Sequence, residues 1–222
     1  MIIILMGFQR SGTTILRRIF TVHPQVKRLM HEPFLLKKFK QKDQLIRHIK
    51  STGINLKKDN WGEKVPFYPN IRQIYPPKYC ETWNEWFGEN VRVIHILRHP
   101  VDVARSVMSK YRVKKPGHCF RLYNKIIPRI IPDFEKMKYV KTIKYEDLLI
   151  NPDVIVPEIY KFCGLNHKFD YKKGLANFKN TRYEKIDPSR AFVYKGVELK
   201  FKYDIKNSVK VANMIPGPIY EY

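Results

Sequence analysis

The chain has 222 residues, with 43 Lys+Arg against 20 Asp+Glu and a formal net charge of +23. That length suits one domain with a sizeable core, and a hydrophobic fraction of 44% with 14% aromatics excludes a disordered basic tail. The longest apolar run, residues 1–8, is too short to cross a bilayer and lacks the basic leader and cleavage site of a signal peptide, so a soluble, cytoplasmic protein is expected.

In chain order, residues 2–6 form a continuous apolar run before a glycine, the pattern of a strand buried on both faces. Residues 13–22 place Ile15, Leu16, Ile19, Phe20 and Val22 at helical spacing. A short strand is read at 26–30 and a basic amphipathic helix at 37–50. Gly62, Pro66 and Pro69 predict a loop over 61–69. Residues 91–97 (VRVIHIL) are the second clear strand, and Pro100 stands where the helix 101–111 starts. A helix interrupted near Pro128 and Pro132 is read over 118–137, a strand over 139–145, and a helix over 154–162 closed by Gly164. From Lys168 onward the chain is basic, aromatic and turn-rich, and its elements are poorly readable. Alternating strands and helices predict an α/β fold: a P-loop-like, three-layer arrangement of a central, mostly parallel sheet flanked by helices. Residues 1–222 read as a single domain. Ligands of such sheets bind at the carboxyl ends of strands.

Chemistry concentrates first between the opening strand and helix, at Gly7-Phe8-Gln9-Arg10-Ser11-Gly12-Thr13-Thr14. The spacing Gly-x-x-x-x-Gly is that of a phosphate-binding loop. Two glycines let the backbone wrap an anion, and N–H groups and the helix dipole then face it. Ser11, Thr13 and Thr14 add hydroxyl donors and Arg10 adds charge. The Lys that grips phosphate in a nucleoside triphosphatase is replaced by Thr13.

The run Phe8–Leu16 of this loop, followed by His23-Pro24 and Glu32-Pro33, resembles the start of sulfotransferases that use 3′-phosphoadenosine 5′-phosphosulfate (PAPS), the tyrosylprotein and carbohydrate branches above all. Three further blocks are similar to the family: Trp61-Gly62-Glu63-Lys64-Val65-Pro66; Arg98-His99-Pro100 with Ser106; and Lys144-Tyr145-Glu146-Asp147-Leu148-Leu149. The resemblance covers about residues 1–165, and 166–222 match poorly.

This resemblance implies that Arg10, Ser11, Gly12, Thr13 and Thr14 hold the 5′-phosphosulfate end of PAPS, that Arg98 and Ser106 hold its 3′-phosphate, and that Tyr145 lies near the nucleotide. Arg suits phosphate by its planar fork, and Ser by its short donor. Lys110 would add a cationic contact, and Ser189 or Lys195 would close the site from the C-terminal part. Glu32 matches the family's general base, with His31 as the adjacent rival. Arg10 and Lys64 would stabilise the charge that grows on the leaving phosphate. The scheme requires no metal, and the sequence offers no cluster of His, Cys and Asp ligands. The implied partners are PAPS, its product 3′-phosphoadenosine 5′-phosphate (PAP), and a small-molecule, glycan or peptide acceptor. No specific nucleic acid is implied.

Two other readings stay open on the residues alone. A degenerate P-loop kinase or nucleotide hydrolase would need Mg²⁺ and a strand-end carboxylate, whereas Leu97 is followed by Arg98. A non-catalytic polyanion-binding protein would account for the charge and the basic run 37–42, which also reads as a solvated face. The excess charge further suggests an anionic acceptor drawn in by a positive cleft. Cys80, Cys119 and Cys163 are odd in number, without a Cys-x-x-Cys pair, and read as buried or stray thiols.

Overall fold

The computed structural model describes residues 1–67, 75–111, 117–177, 186–191 and 213. Its centre is strand β1 (Ile2–Phe8), buried along its whole length. Strands β2 (Val26–His31), β3 (Asn60–Phe67), β4 (Val91–Leu97) and β5 (Val140–Lys144) complete a five-stranded sheet in the order β2-β3-β1-β4-β5. Every pairing is parallel. Among the described residues, no helix is long and apolar enough to cross a membrane.

The alternation of β1 explains the three layers. Ile2, Ile4, Met6 and Phe8 face one core, shared with helices α2 (Leu35–Lys38), α3 (Lys42–Ser51), α4 (Pro76–Phe87), α5 (Pro100–Tyr111) and α6 (Gly117–Glu135). Ile3 and Leu5 face the other, filled by α1 (Thr13–Thr21), α7 (Tyr145–Ile150), α8 (Pro152–Phe162) and α9 (Tyr171–Ala176). Period-two side-chain placement on a doubly covered sheet produces this continuous apolar run.

The chain leaves β1 toward β2 and β3 on one side, and leaves β4 toward β5 on the other. The crevice between the carboxyl ends of β1 and β4 is therefore the topological switch point, where ligands of open parallel sheets bind.

Four sequence expectations change. Residues 61–67 are strand rather than loop, and Pro69 lies outside the described residues. The expected helix 37–50 divides into α2 and α3, with Phe39 extended between them (φ −112°, ψ 119°). Tyr145 opens α7 instead of closing a strand. Helix α6 runs through Pro128 and Pro132 without a break. A proline inside a helix costs about 3 kcal/mol, but Phe120, Tyr123, Ile127, Ile130, Ile131 and Phe134 are all buried at helical spacing. That burial offsets the lost backbone hydrogen bonds, since each large apolar side chain contributes about 1.5–3 kcal/mol.

Candidate active site

The first cluster forms where β1 turns into α1. Gly7 is still within β1. It is required for close packing: a Cβ there would stand 2.6 Å from the Ile96 carbonyl of β4. The turn itself is made by two left-handed residues, Arg10 (φ 69°) and Gly12 (φ 99°). Gly12 is required twice over. Its φ suits glycine, and a Cβ would run into the Tyr145 ring. No side chain caps the start of α1, so its first N–H groups remain available to an anion. The Ser11 hydroxyl is fully buried and has no hydrogen-bond partner among the described residues.

The second cluster closes the switch-point crevice. Arg10 Nε donates to Ser106 Oγ on α5 at 2.9 Å. Arg98, at the end of β4, donates from Nη1 to the Arg10 carbonyl at 3.1 Å. Its guanidinium lies 4.3 Å from the centre of the Tyr145 ring, a cation–π contact worth about 0.5–2 kcal/mol. Asp102 stands 3.9 Å from Arg98 Nη2, and Tyr123 OH donates to the Arg98 carbonyl at 2.9 Å. Arg98 Nε, by contrast, has no acceptor among the described residues. Arg10, Arg98, Ser106 and Tyr145, separated by up to 135 residues in sequence, thus form one contact set. Arg10 thus reaches Ser106 with its side chain and also acts electrostatically on Lys64. Lys110 is exposed.

The third cluster lies across β1, between β2 and α1. Lys64 Nζ is 2.7 Å from Glu32 Oε1, 3.4 Å from Thr14 Oγ1 and 3.2 Å from His31 Nε2. The Lys64 side chain is 3% exposed and that of Glu32 23%. β3 thus places the Lys64 ammonium beside the start of α1, where the loop itself carries Thr13 and no lysine. Burial lowers the Lys64 pKa, and the Glu32 carboxylate opposes that fall. Burial, and after it the Lys64 charge, lowers His31 as well, so its ring is neutral at neutral pH. Glu32 (φ 55°) and Phe34 (φ 48°) are both left-handed without being glycine, each at a cost of about 1–3 kcal/mol.

Sequence reasoning missed three charged residues here. Arg17, one turn beyond Thr14 on α1, donates from Nε to the Leu29 carbonyl at 3.1 Å and acts electrostatically on both Lys64 and His31. The i, i+3 spacing from Thr14 was the available signal. Arg190 acts on Tyr145, whereas its neighbour Ser189 is exposed and donates to Asp187 Oδ1 at 2.7 Å. Lys195 lies outside the described residues. Glu63 is fully buried. Its partner Tyr79 lines a small crevice with Met6, Phe34, Lys37, Phe67 and Pro76. Cys80 and Cys163 are buried free thiols, and the Cys119 side chain lies outside the described part.

Glu63 also predicts a pH effect. Burial raises its pKa from an ordinary 4.5 to about 7. A carboxyl whose folded pKa exceeds its unfolded one binds its proton more tightly when folded. The stability it confers is complete below pH 4.5 and is lost as pH rises through 7. Urea unfolding of the wild type is expected to lose about 3 kcal/mol more across that interval than the Glu63→Gln variant. Parallel pH dependences in the two proteins would contradict this.

The model of the sulfotransferase domain family matches residues 2–207. The chain belongs to the sulfotransferase family. This family match gives no support to the kinase or nucleotide hydrolase reading. No curated protein matches this sulfotransferase. Among solved structures, it is similar to the sulfotransferase domain of the Synechococcus PCC 7002 olefin synthase, with a TM-score of 0.71 and 15% identity, over 98% of this chain and 95% of that one. The sulfotransferase domain from the curacin biosynthetic pathway follows at TM-score 0.69 and 17% identity, over 96% of each chain. Mouse sulfotransferase SULT7A1, solved in complex with PAP, aligns at TM-score 0.50 and 17% identity, over 74% of this sulfotransferase and 59% of the mouse chain. At these identities the likeness is one of fold, and it agrees with the parallel α/β sheet expected for this sulfotransferase.

Proposed function

We propose that this sulfotransferase moves a sulfuryl group from PAPS to a hydroxyl or amine of an acceptor, with Glu32 as general base. One observation carries the reading: a single buried ammonium, that of Lys64, spans the Glu32 carboxylate and the anion-ready start of α1. The contact set of Arg10, Arg98, Ser106 and Tyr145 offers a second anion site at the switch point. The orphaned buried Ser11 hydroxyl and Arg98 Nε fit a ligand with anionic groups at both ends. The mouse relative's complex with PAP is consistent with that ligand class.

PAPS supplies an activated sulfuryl group on phosphate. The start of α1, with Ser11, Thr13 and Thr14, would hold its phosphosulfate end, while Arg98 and Ser106 would hold the 3′-phosphate. Glu32 takes the acceptor's proton as the new bond to sulfur forms and the sulfur–phosphate oxygen bond breaks. Lys64 then neutralises the charge left on the phosphate. PAP and the sulfated acceptor are the products, and the proton on Glu32 passes to solvent. Carbohydrates and peptide tyrosines fit as acceptors. Acidic ones are favoured by a chain whose first 58 residues carry 13 Lys+Arg and two acids, Glu32 and Asp43.

The test is incubation with sulfur-labelled PAPS and a panel of sugars, phenols and tyrosine peptides, with label transfer as the readout. Calorimetry with PAP tests the nucleotide site directly. Arg98→Ala is expected to weaken PAP binding about 10- to 100-fold, the value of losing charge-assisted hydrogen bonds to phosphate. Unchanged affinity would remove Arg98 from the site.

A further inference from the structure

Glu63 and Lys64 are neighbours on β3 and point to opposite faces of the sheet. Glu63 touches none of the groups assigned to transfer, yet its carboxylate is fully engaged. Oε2 accepts the Leu35 N–H at 3.1 Å, and Oε1 accepts Tyr79 OH at 2.5 Å and Trp83 Nε1–H at 3.1 Å. Leu35 opens α2, three residues past Glu32.

The backbone between them is unusual. Glu32 and Phe34 both hold positive φ, Pro33 has no N–H, and no side chain caps the start of α2. Both of its ends are fastened to β3. At one end Glu32 N–H donates to the Lys64 carbonyl at 3.1 Å. At the other, Leu35 N–H donates to Glu63. Two consecutive residues of β3 therefore fasten both ends of the segment that carries the proposed base. The second fastening comes from a carboxylate that is itself oriented by two donors of α4.

We propose that Glu63 is a positioning residue for Glu32: by pinning the Leu35 amide it holds the strained turn that sets the Glu32 carboxylate against Lys64. This rests on the assignment of Glu32 as general base. A carboxylate displaced by about 1 Å from its working geometry loses on the order of 10²-fold in rate, while a nucleotide site built on α1, α5 and α7 is untouched. Trp83 orients the pin as a donor, and Tyr79 both donates to it and accepts the Leu36 N–H of α2 at 3.5 Å.

Glu63→Gln is the direct test. The amide keeps the shape but turns an N–H₂ toward donors that need an acceptor. It is expected to lower kcat about 10- to 100-fold with the acceptor selected from the sugar, phenol and peptide panel, and to leave PAP affinity within about twofold on calorimetry. Hydrogen exchange of the Leu35 amide should speed up while the amides of β1 keep their protection. Where the Gln protein does not fold, Glu63→Asp, which retains the carboxyl group and withdraws it by one methylene, should produce the same pattern. Added to Glu32→Gln, Glu63→Gln should bring no further loss of residual transfer, as expected when one residue acts through another. An equal loss in both backgrounds, a parallel loss of PAP affinity, or unchanged Leu35 exchange overturns the proposal. Full turnover in Glu32→Gln alone overturns the base assignment first, and this inference with it.

Discussion

Glu32→Gln is expected to cut transfer about 10²- to 10⁴-fold, the usual contribution of a positioned general base, while PAP binding stays within about twofold. Gln has the same shape and its amide oxygen still accepts from Lys64, which is 2.7 Å from the native carboxylate. The turn and the ion-pair partner therefore keep their places, and what disappears is the ability to take a proton. Single-turnover assays with labelled PAPS measure this directly. Retained turnover would move the role to His31, whose Nε2 lies 3.2 Å from the same ammonium, and His31→Gln would then be the variant that loses activity.

Lys64→Met should lower kcat about 10²- to 10³-fold, as removal of one preorganised charge-stabilising donor does elsewhere. The effect is large because the ammonium is buried, where a charge acts at low effective dielectric. Lys64→Arg is expected to rescue little: a planar fork cannot occupy the slot of a point charge between Thr14, His31 and Glu32. The native enzyme should carry a signature of this residue. Burial lowers the Lys64 pKa below its ordinary 10.5, so the ammonium is lost earlier as pH rises and the rate should fall on the alkaline side sooner than an exposed lysine would dictate. A kcat within about threefold of wild type in Lys64→Met would refute the assignment.

The strands buried on both faces were legible because their composition leaves no other interpretation. Residues 2–6 are apolar throughout and residues 91–97 are apolar but for Arg92 and His95, and both are inner strands of the sheet. The loop after β1 was legible as a motif, but the division of labour within it was not: Gly7 serves packing, and Arg10 takes the left-handed position expected of glycine. β3 was illegible for a physical reason. Gly62, Glu63, Lys64 and Pro66 all argue against a buried strand when read locally. Glu63 is satisfied by Leu35, Tyr79 and Trp83, and Lys64 by Glu32, all distant in sequence. Pro66 is tolerated because pairing with β2 ends at His31↔Lys64, so on that side its missing N–H has no ladder to break. The same distant partners make β3 the strand that supplies both Lys64 and Glu63. The residues that disguised it are those that carry the chemistry.

The central place of β1 also shapes how the protein is made. This strand pairs with two that follow about 60 and 90 residues later in the chain. Until both arrive, its seven apolar-rich positions have no ladder to join, and a bare, flat, hydrophobic strand invites association with other chains. Assembly of the sheet centre must therefore wait for long-range closure, which is slow. Yield in cells should consequently depend on growth temperature and chaperone supply more than the buried core of the finished molecule would suggest.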